Sequence, residues 1–99
     1  MKKIINGKLY DTNSDNVTYI VNYSYEAPES PLHINEKLYQ KRNGEFFLVG
    51  EGGHSSKYKM ILYISGSDIT PLTTEEAKEW VEKHFDADTY IEVFGEPKE

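Results

Sequence analysis

The stretch Gly50 to Tyr58, GEGGHSSKY, gathers residue types that often take part in anion binding or hydrolysis. A phosphate loop needs G-x-x-x-x-G-K-[ST] between a strand and a helix, because backbone N–H groups and the helix N-terminus must converge on the phosphate. Here the glycines lie between two predicted strands, and Glu51 would repel an anion. A dinucleotide-binding fingerprint fails for the same reason. The pattern indicates a connecting or partner-contacting loop, with Glu51, His54 and Tyr58 as candidate contact residues.

The same loop places His54 beside Ser55 and Ser56, which raises the hypothesis of a hydrolase. A catalytic triad also needs an acid that orients the histidine and a nucleophile on a strained turn. No G-x-S-x-G elbow occurs in the sequence. We therefore predict no catalytic residues, and an enzyme remains the third hypothesis, supported by this loop alone.

The run His84 to Asp88, HFDAD, offers nitrogen and oxygen atoms that bind metal ions in other proteins. Two aspartates beside a helix end usually cap the backbone, and the sequence has neither an H-E-x-x-H motif nor an EF-hand loop. The absence of cysteine excludes thiolate metal sites. We predict no metal site and no cofactor.

Basic residues interleaved with tyrosines raise a third kind of chemistry, the binding of single-stranded nucleic acid on stacking platforms. Only one of these residues is arginine, and the net charge of the chain is −6. Lysines on hairpin arms also protect strand edges from pairing with other chains. We predict no direct contact with nucleic acid. The basic residues are Lys2, Lys3, Lys8, Lys37, Lys41, Arg42, Lys57 and Lys59, and the tyrosines are Tyr10, Tyr39 and Tyr58.

Charge is distributed unevenly along the chain. Residues 1 to 67 hold seven acidic and eight basic side chains, whereas residues 68 to 99 hold ten acidic and three basic ones. An acid-rich region attracts basic partners, including the basic grooves of nucleic-acid-binding proteins. A solvated helix face that aids solubility is the alternative. The candidate partner-binding residues in this region are Glu75, Glu76, Glu79, Glu82, Asp86 and Asp88.

Length and composition place the chain in the class of small single domains. Its 99 residues can build one modest core. The N-terminus has only a two-residue apolar run before Asn6, and no segment approaches the roughly 18 apolar residues of a membrane span. Together with the absence of cysteine, these features predict a cytoplasmic protein without membrane contact.

The first half of the chain reads as strands and turns. Asn6-Gly7 predicts a type I′ hairpin within residues 4 to 10. Apolar and polar residues alternate over residues 17 to 26, and only Ile20 interrupts the alternation. This pattern predicts a strand whose alternating apolar residues share one face. These residues are Val17, Tyr19, Val21, Tyr23 and Tyr25.

Asn43-Gly44 predicts a second hairpin between residues 36 to 42 and 45 to 49. Residues 58 to 64 form a further predicted strand, residues 65 to 68 a turn, and Pro71 should end any sheet pairing.

The last third predicts helices. A threonine N-cap in Thr73-Thr74 with glutamate at N3 forms a capping box. Residues 77, 80, 81, 84 and 85 form an apolar stripe that should dock on the sheet. Asp88 is predicted to cap a short final helix that ends at Gly95, with a strand over residues 89 to 94 as the alternative.

We therefore expect one α+β domain over residues 1 to 99, with residues 1 to 67 mainly β and residues 68 to 99 acidic and mainly helical. Its architecture would be a small twisted antiparallel sheet of hairpins, with one C-terminal amphipathic helix packed on it and a short final helix.

The motifs INGKLYDT, GEFFLVGEGG and ITPLTTEEAKEW, followed by DADTY and FG, resemble a family of small proteins carried by phages, prophages and plasmids of Gram-positive bacteria. The resemblance covers nearly the whole chain apart from about residues 13 to 35. Relatives often continue Asp-Thr into a helical run, but this chain has Asn13 to Asn16 and then a strand. The resemblance implies that the first helix of the family is missing here.

Small acidic proteins from such elements include many anti-defence factors, and this chain is similar to the anti-CRISPR class in size, in its acid-rich end and in its lack of catalytic motifs. The leading hypothesis is a non-enzymatic inhibitor that binds a Cas nuclease and occludes a basic nucleic-acid-binding surface. The alternative is a small structural or regulatory homodimer of a phage or plasmid, assembled through the strand at residues 17 to 26. Both a monomer and a homodimer are consistent with the sequence.

Overall fold

The computed structural model describes residues 1 to 53, residue 57 and residues 66 to 98. In chain order the elements are β1 (Lys2–Ile5), β2 (Lys8–Asp11), β3 (Val17–Tyr25), β4 (Ile34–Lys41), β5 (Phe46–Gly52), β6 (Gly66–Leu72), α1 (Thr74–His84) and α2 (Ala87–Phe94). The α+β class is confirmed. The described strands form two antiparallel sheets, the hairpin β1-β2 and the four-stranded sheet β3-β4-β5-β6. The predicted strand at residues 58 to 64 lies outside the described residues.

The two sheets and the helices form three layers, with the four-stranded sheet in the middle. Consecutive strand residues point to opposite faces, so Phe46 and Phe47 enter different cores. Phe47 packs with Tyr10 and Ile69 under the β1-β2 hairpin, whereas Phe46 packs with Leu38 and the helices. The side chains that α1 buries in this second core are Ala77, Trp80 and Val81. The middle sheet thus separates a hairpin side from a helix side.

The two Asn-Gly turns differ in geometry. Asn6 and Gly7 both have positive φ, at 52° and 77°, which confirms the type I′ turn. In the second hairpin the Gly44 N–H donates to the Lys41 carbonyl over 2.9 Å, and of the Asn43-Gly44 pair only Gly44 has positive φ, at 95°. This is the pattern of a β-turn followed by a glycine bulge, so the loop is longer than a two-residue type I′ turn.

Strand β3 contains a bulge that overturns the prediction of one shared apolar face. Tyr19 pairs with Tyr39, but Val21 pairs with Leu38, so Ile20 and Val21 together lie opposite one residue. Val17 therefore packs on the hairpin side, while Val21 packs on the helix side. Ile20, the residue that interrupts the alternation, marks the bulge.

The prediction that residues 65 to 68 turn the chain and that Pro71 ends pairing is wrong. Residues 66 to 72 form β6, in which Pro71 lies opposite Phe47 on β5. Proline cannot donate a ladder hydrogen bond and is therefore confined to the edges of sheets. Among the described strands β6 is the outermost on its side, which explains how the proline fits.

The predicted loop at Gly50 to Tyr58 is called the glycine loop below. The prediction is wrong for residues 50 to 52, which belong to β5, and Gly53 meets the loop before β4. A Cβ atom on Gly53 would lie 2.5 Å from the Pro31 carbonyl oxygen and 2.7 Å from that of Ser30. Only glycine allows this approach without displacement of backbone. The Gly53 N–H also donates to the His33 carbonyl over 2.9 Å. Gly53 thus has a structural role in holding the loop before β4 against the end of β5.

Candidate protein-interaction surface

The outer side of α1 carries a row of carboxylates because the helix is amphipathic. Ala77, Trp80 and Val81 are buried against the sheet, and helical periodicity places Glu75, Glu79 and Glu82 on the opposite side, where they are exposed. Asp88 is exposed in the first turn of α2. None of these four carboxylates lies within 4.0 Å of a basic group among the described residues. We call these four residues the acidic face.

The other two acids predicted on this surface bind backbone. The Glu76 carboxylate accepts from the Thr73 N–H over 2.9 Å, and the Thr73 hydroxyl accepts from the Glu76 N–H over 3.1 Å, which completes the predicted capping box. Asp86 is the N-cap of α2 and accepts from the N–H and the hydroxyl of Thr89 over 2.9 and 2.8 Å. The prediction that Asp88 caps this helix is therefore wrong by two residues, because Asp86 has the extended backbone that an N-cap needs.

The loop residues predicted as contacts do not join the acidic face in the described structure. Glu51 is exposed on β5. It follows Phe47 and Val49 at two-residue intervals, so it lies on the same face of the strand as these two residues, which is the hairpin side of the sheet. The sheet therefore separates Glu51 from α1. His54 and Tyr58 lie outside the described residues.

Much of the basic charge on the hairpin side is already paired. Lys3 binds Asp68, Lys8 lies 2.8 Å from Glu45, and Lys2 lies 4.0 Å from Asp11. The hydrogen bond with Lys8 is the largest cause of the lowered pKa of Glu45, and the same bond raises the pKa of Lys8. The Lys41 ammonium lies 3.8 Å from the centre of the Tyr10 ring. These contacts leave less free positive charge for a phosphate backbone than the lysine count suggests.

Beneath α1, the sequence prediction missed a buried polar cluster. The Glu36 side chain on β4 is 2% exposed, and its Oε1 accepts from the Trp80 indole N–H over 3.0 Å. Its Oε2 lies 2.8 Å from the ammonium of Lys57, which is 61% exposed. The buried charge is thus compensated by a cation that reaches in from the surface, as a buried carboxylate requires. The cluster ties the sheet, α1 and the glycine loop together.

His84 extends this cluster at the end of α1. Its ring stacks on Tyr23 of β3 with centroids 3.8 Å apart, and it contacts Trp80 edge to face at 5.5 Å. Burial is the largest cause of the lowered pKa of His84; Glu36 opposes this shift, and Lys83 and Lys57 add to it. A signal for the cluster existed in the sequence, because alternation places Glu36 on the same face of β4 as the core residue Leu38.

Within the part of the chain that the structure describes, no group of three or more histidine, aspartate or glutamate side chains could hold a metal ion. No described helix is long and apolar enough to cross a membrane. Comparisons of the chain with protein-family models, curated proteins and solved structures find no match.

Proposed function

We propose that the protein is a non-enzymatic inhibitor whose acidic face binds a basic, nucleic-acid-binding surface of another protein. The most concrete target is a Cas nuclease in the bacterial cell that hosts the mobile element, as the resemblance to small phage and plasmid proteins implies. The observation that carries the proposal is the row of exposed carboxylates on α1, which have no cation partner among the described residues. Carboxylates without a cation partner raise the rate of encounter with a basic groove and compete there with phosphates.

The contrast between the two sides of the molecule favours this function over nucleic-acid binding. Lys2, Lys3 and Lys8 each have a carboxylate partner, whereas Glu79 and Glu82 have no cation partner among the described residues. An unpaired charge is available to a partner without the cost of breaking an internal pair. The acidic face is therefore the surface best prepared for a charged partner.

The test is inhibition of DNA cleavage by several Cas9 ribonucleoproteins, with the protein added before or after the target DNA at low and high salt. We expect inhibition only when the protein is added first. The variant Glu79→Lys with Glu82→Lys should inhibit less, and most clearly at low salt, because salt screens exposed charges. A matched control is Asp15→Lys with Glu29→Lys, which changes the net charge equally at exposed positions outside the helices.

Two results would count against the proposal. Failure to inhibit any nuclease at large excess would remove Cas9 as the target. Equal inhibition by the helix variant and the control variant would show that the acidic face is not the contact surface.

The exposure of β3 favours the homodimer as a second candidate. This nine-residue strand pairs only with β4 among the described strands. It leaves Tyr19 and Tyr25 51% and 47% exposed. An unpaired edge can add a second copy of the chain through backbone hydrogen bonds. Light scattering decides: a dimer that Asn22→Pro converts to a monomer supports this candidate, and a wild-type monomer at high concentration rejects it.

A further inference from the structure

The junction of α1 and α2 contains a groove of about 350 Å³ beside the acidic face. Phe85, Tyr90, Ile91 and Pro97 form its apolar walls, and the acidic residues Glu82 and Asp86 also line it. Glu82 belongs to both the groove and the acidic face. A pocket with apolar walls and two acids suits a side chain that is apolar along its length and positively charged at its end.

We propose that this groove receives one arginine side chain of the basic partner. The inference rests on the proposed function and names the residue type that would anchor the complex. The alkyl part of the arginine packs on Ile91 and Pro97, the guanidinium lies against the aromatic walls, and its N–H groups donate to the two carboxylates. Complexes of this kind obtain most of their affinity from a few anchors, and arginine is enriched among them.

The walls of the groove are held in place before any partner binds. Phe85 packs against Trp80 with ring centroids 5.6 Å apart. Tyr90 packs against Phe94 at 5.1 Å, and Phe94 contacts Phe46 of the sheet at 5.5 Å. The groove is thus attached to the helix-side core from both helices. A preformed site binds more tightly than a flexible one because fewer side chains lose freedom on binding.

Neither carboxylate of the groove has a cation partner among the described residues. Hydrogen bonds from Thr89 lower the pKa of Asp86. These bonds engage the Oδ1 atom of Asp86, and its Oδ2 atom accepts no hydrogen bond from the described residues. Glu82 is exposed and has no cation partner among the described residues. With respect to the described residues, each carboxylate therefore has an oxygen that can accept from a guanidinium.

Arginine fits this chemistry better than lysine. Its planar guanidinium can stack on an aromatic ring while its edge donates to carboxylates, and it loses less hydration than an ammonium does. A lysine ammonium would gain the attraction of both carboxylates but not the stacking on Phe85 and Tyr90.

The probe for the test is a short tetra-arginine peptide, with tetra-lysine and tetra-citrulline peptides as comparisons. Binding is followed by NMR of the wild-type protein. We expect saturable shifts at Ile91 and Tyr90 with tetra-arginine, weaker shifts with tetra-lysine and none with tetra-citrulline, which keeps the shape but lacks the charge.

Three variants separate the groove from general electrostatic attraction. Glu82→Gln should weaken tetra-arginine binding by about 1.5- to fivefold, which is the value of one exposed ion pair. Glu79→Gln removes the same charge one turn away, outside the groove lining, and should have a smaller effect. Ala87→Phe fills the groove from an exposed position in the first turn of α2 without a change of charge, and it should abolish the shifts at Ile91. Far-UV circular dichroism checks that each variant is folded.

The outcomes distinguish this inference from the proposed function. If tetra-arginine shifts α1 resonances but not those of Ile91, or if Glu79→Gln and Glu82→Gln weaken binding equally, the groove is not the anchor, although the acidic face still binds basic partners. If tetra-lysine binds as tightly as tetra-arginine, the preference for arginine is wrong. If no basic peptide binds at low salt, both the groove and the acidic face are rejected as contact surfaces.

Discussion

Glu36 shows how one buried carboxylate joins three parts of the molecule. Trp80 and Lys57 each bind one of its oxygens, over 3.0 and 2.8 Å. The indole N–H of Trp80 is the contact that a substitution can isolate, since glutamine keeps an oxygen acceptor whereas leucine does not. The charge of Glu36 and its capacity to accept hydrogen bonds can therefore be tested separately.

We expect Glu36→Leu to lower the free energy of unfolding by about 1 to 3 kcal/mol, because it leaves the Trp80 indole N–H buried without its carboxylate acceptor. Glu36→Gln should cost less, because its side-chain oxygen can still accept from Trp80 and Lys57 is exposed enough to be hydrated. Urea unfolding followed by Trp80 fluorescence measures both variants. Equal loss in the two would show that the charge, and not the hydrogen bond to Trp80, dominates.

His84 gives the fold a predicted dependence on pH. Burial lowers its pKa in the folded chain, with Glu36 opposing the shift and Lys83 and Lys57 favouring it. In the unfolded chain the pKa is about 6.5. Below this pH the unfolded chain binds the proton more readily than the folded chain, so stability falls as the pH decreases through about 6.5.

Urea unfolding at about pH 7.5 and about pH 5.5 checks this expectation, since this interval spans the ordinary titration of histidine. His84→Phe keeps an aromatic ring beside Tyr23 and should lose less stability over the interval than wild type. His33→Gln, which removes a histidine outside the Glu36 cluster, is the control variant. If His84→Phe and wild type lose the same stability, His84 is not responsible for the dependence on pH.

At the scale of elements, the sequence correctly predicted the features that depend only on neighbouring residues. The first Asn-Gly hairpin and the capping box of α1 were found from a few neighbouring residues, because turn geometry and capping depend on those residues alone. The α+β class followed from the periodicity of whole segments.

Two of the wrong predictions, the single apolar face of β3 and the end of sheet pairing at Pro71, depended on tertiary contacts. The bulge at Ile20 depends on the register with β4, and Pro71 lies in a strand because β6 has an outer position in the sheet. The Glu36 cluster requires β4, α1 and the glycine loop to meet, which no local pattern specifies. Six acids were predicted as contacts. The predicted capping box already assigned a glutamate at N3, which is Glu76, to the backbone, whereas the capping role of Asp86 was missed because α2 begins two residues earlier than predicted.

The capping box offers a test at this scale. Thr73→Ala removes the hydroxyl that accepts from the Glu76 N–H, and we expect it to lower the free energy of unfolding by about 1 kcal/mol. Thr74→Ala is the matched control, because Thr74 is exposed and the capping hydroxyl belongs to Thr73. Chemical unfolding followed by circular dichroism at 222 nm measures both. A loss of stability as large in the control as in Thr73→Ala would contradict a specific role for the cap.

At the scale of the whole molecule, the middle sheet is shared by two cores. Phe46 and Phe47 are neighbours on β5, yet Phe46 belongs to the helix-side core and Phe47 to the hairpin-side core. Both are at most 5% exposed. Loss of either core exposes one face of the same strand, so neither outer layer should unfold independently. We therefore expect one cooperative transition in which the hairpin, the sheet and the helices unfold together.

A pair of substitutions, one in each core, tests this cooperativity. Tyr10→Ala removes a buried ring that contacts Phe47 on the hairpin side, and Val81→Ala truncates a fully buried side chain on the helix side. We expect the free energy of unfolding to fall by about 3 kcal/mol in Tyr10→Ala and by about 2 kcal/mol in Val81→Ala, from the usual cost of cavities in a core.

In both variants Trp80 fluorescence and far-UV circular dichroism should report the same lowered midpoint, although Tyr10 lies on the other side of the sheet from Trp80. A Tyr10→Ala variant in which Trp80 fluorescence keeps the wild-type midpoint while the dichroism midpoint falls would show that the two layers unfold separately. In that case the acidic face could persist on a sheet that had lost its hairpin.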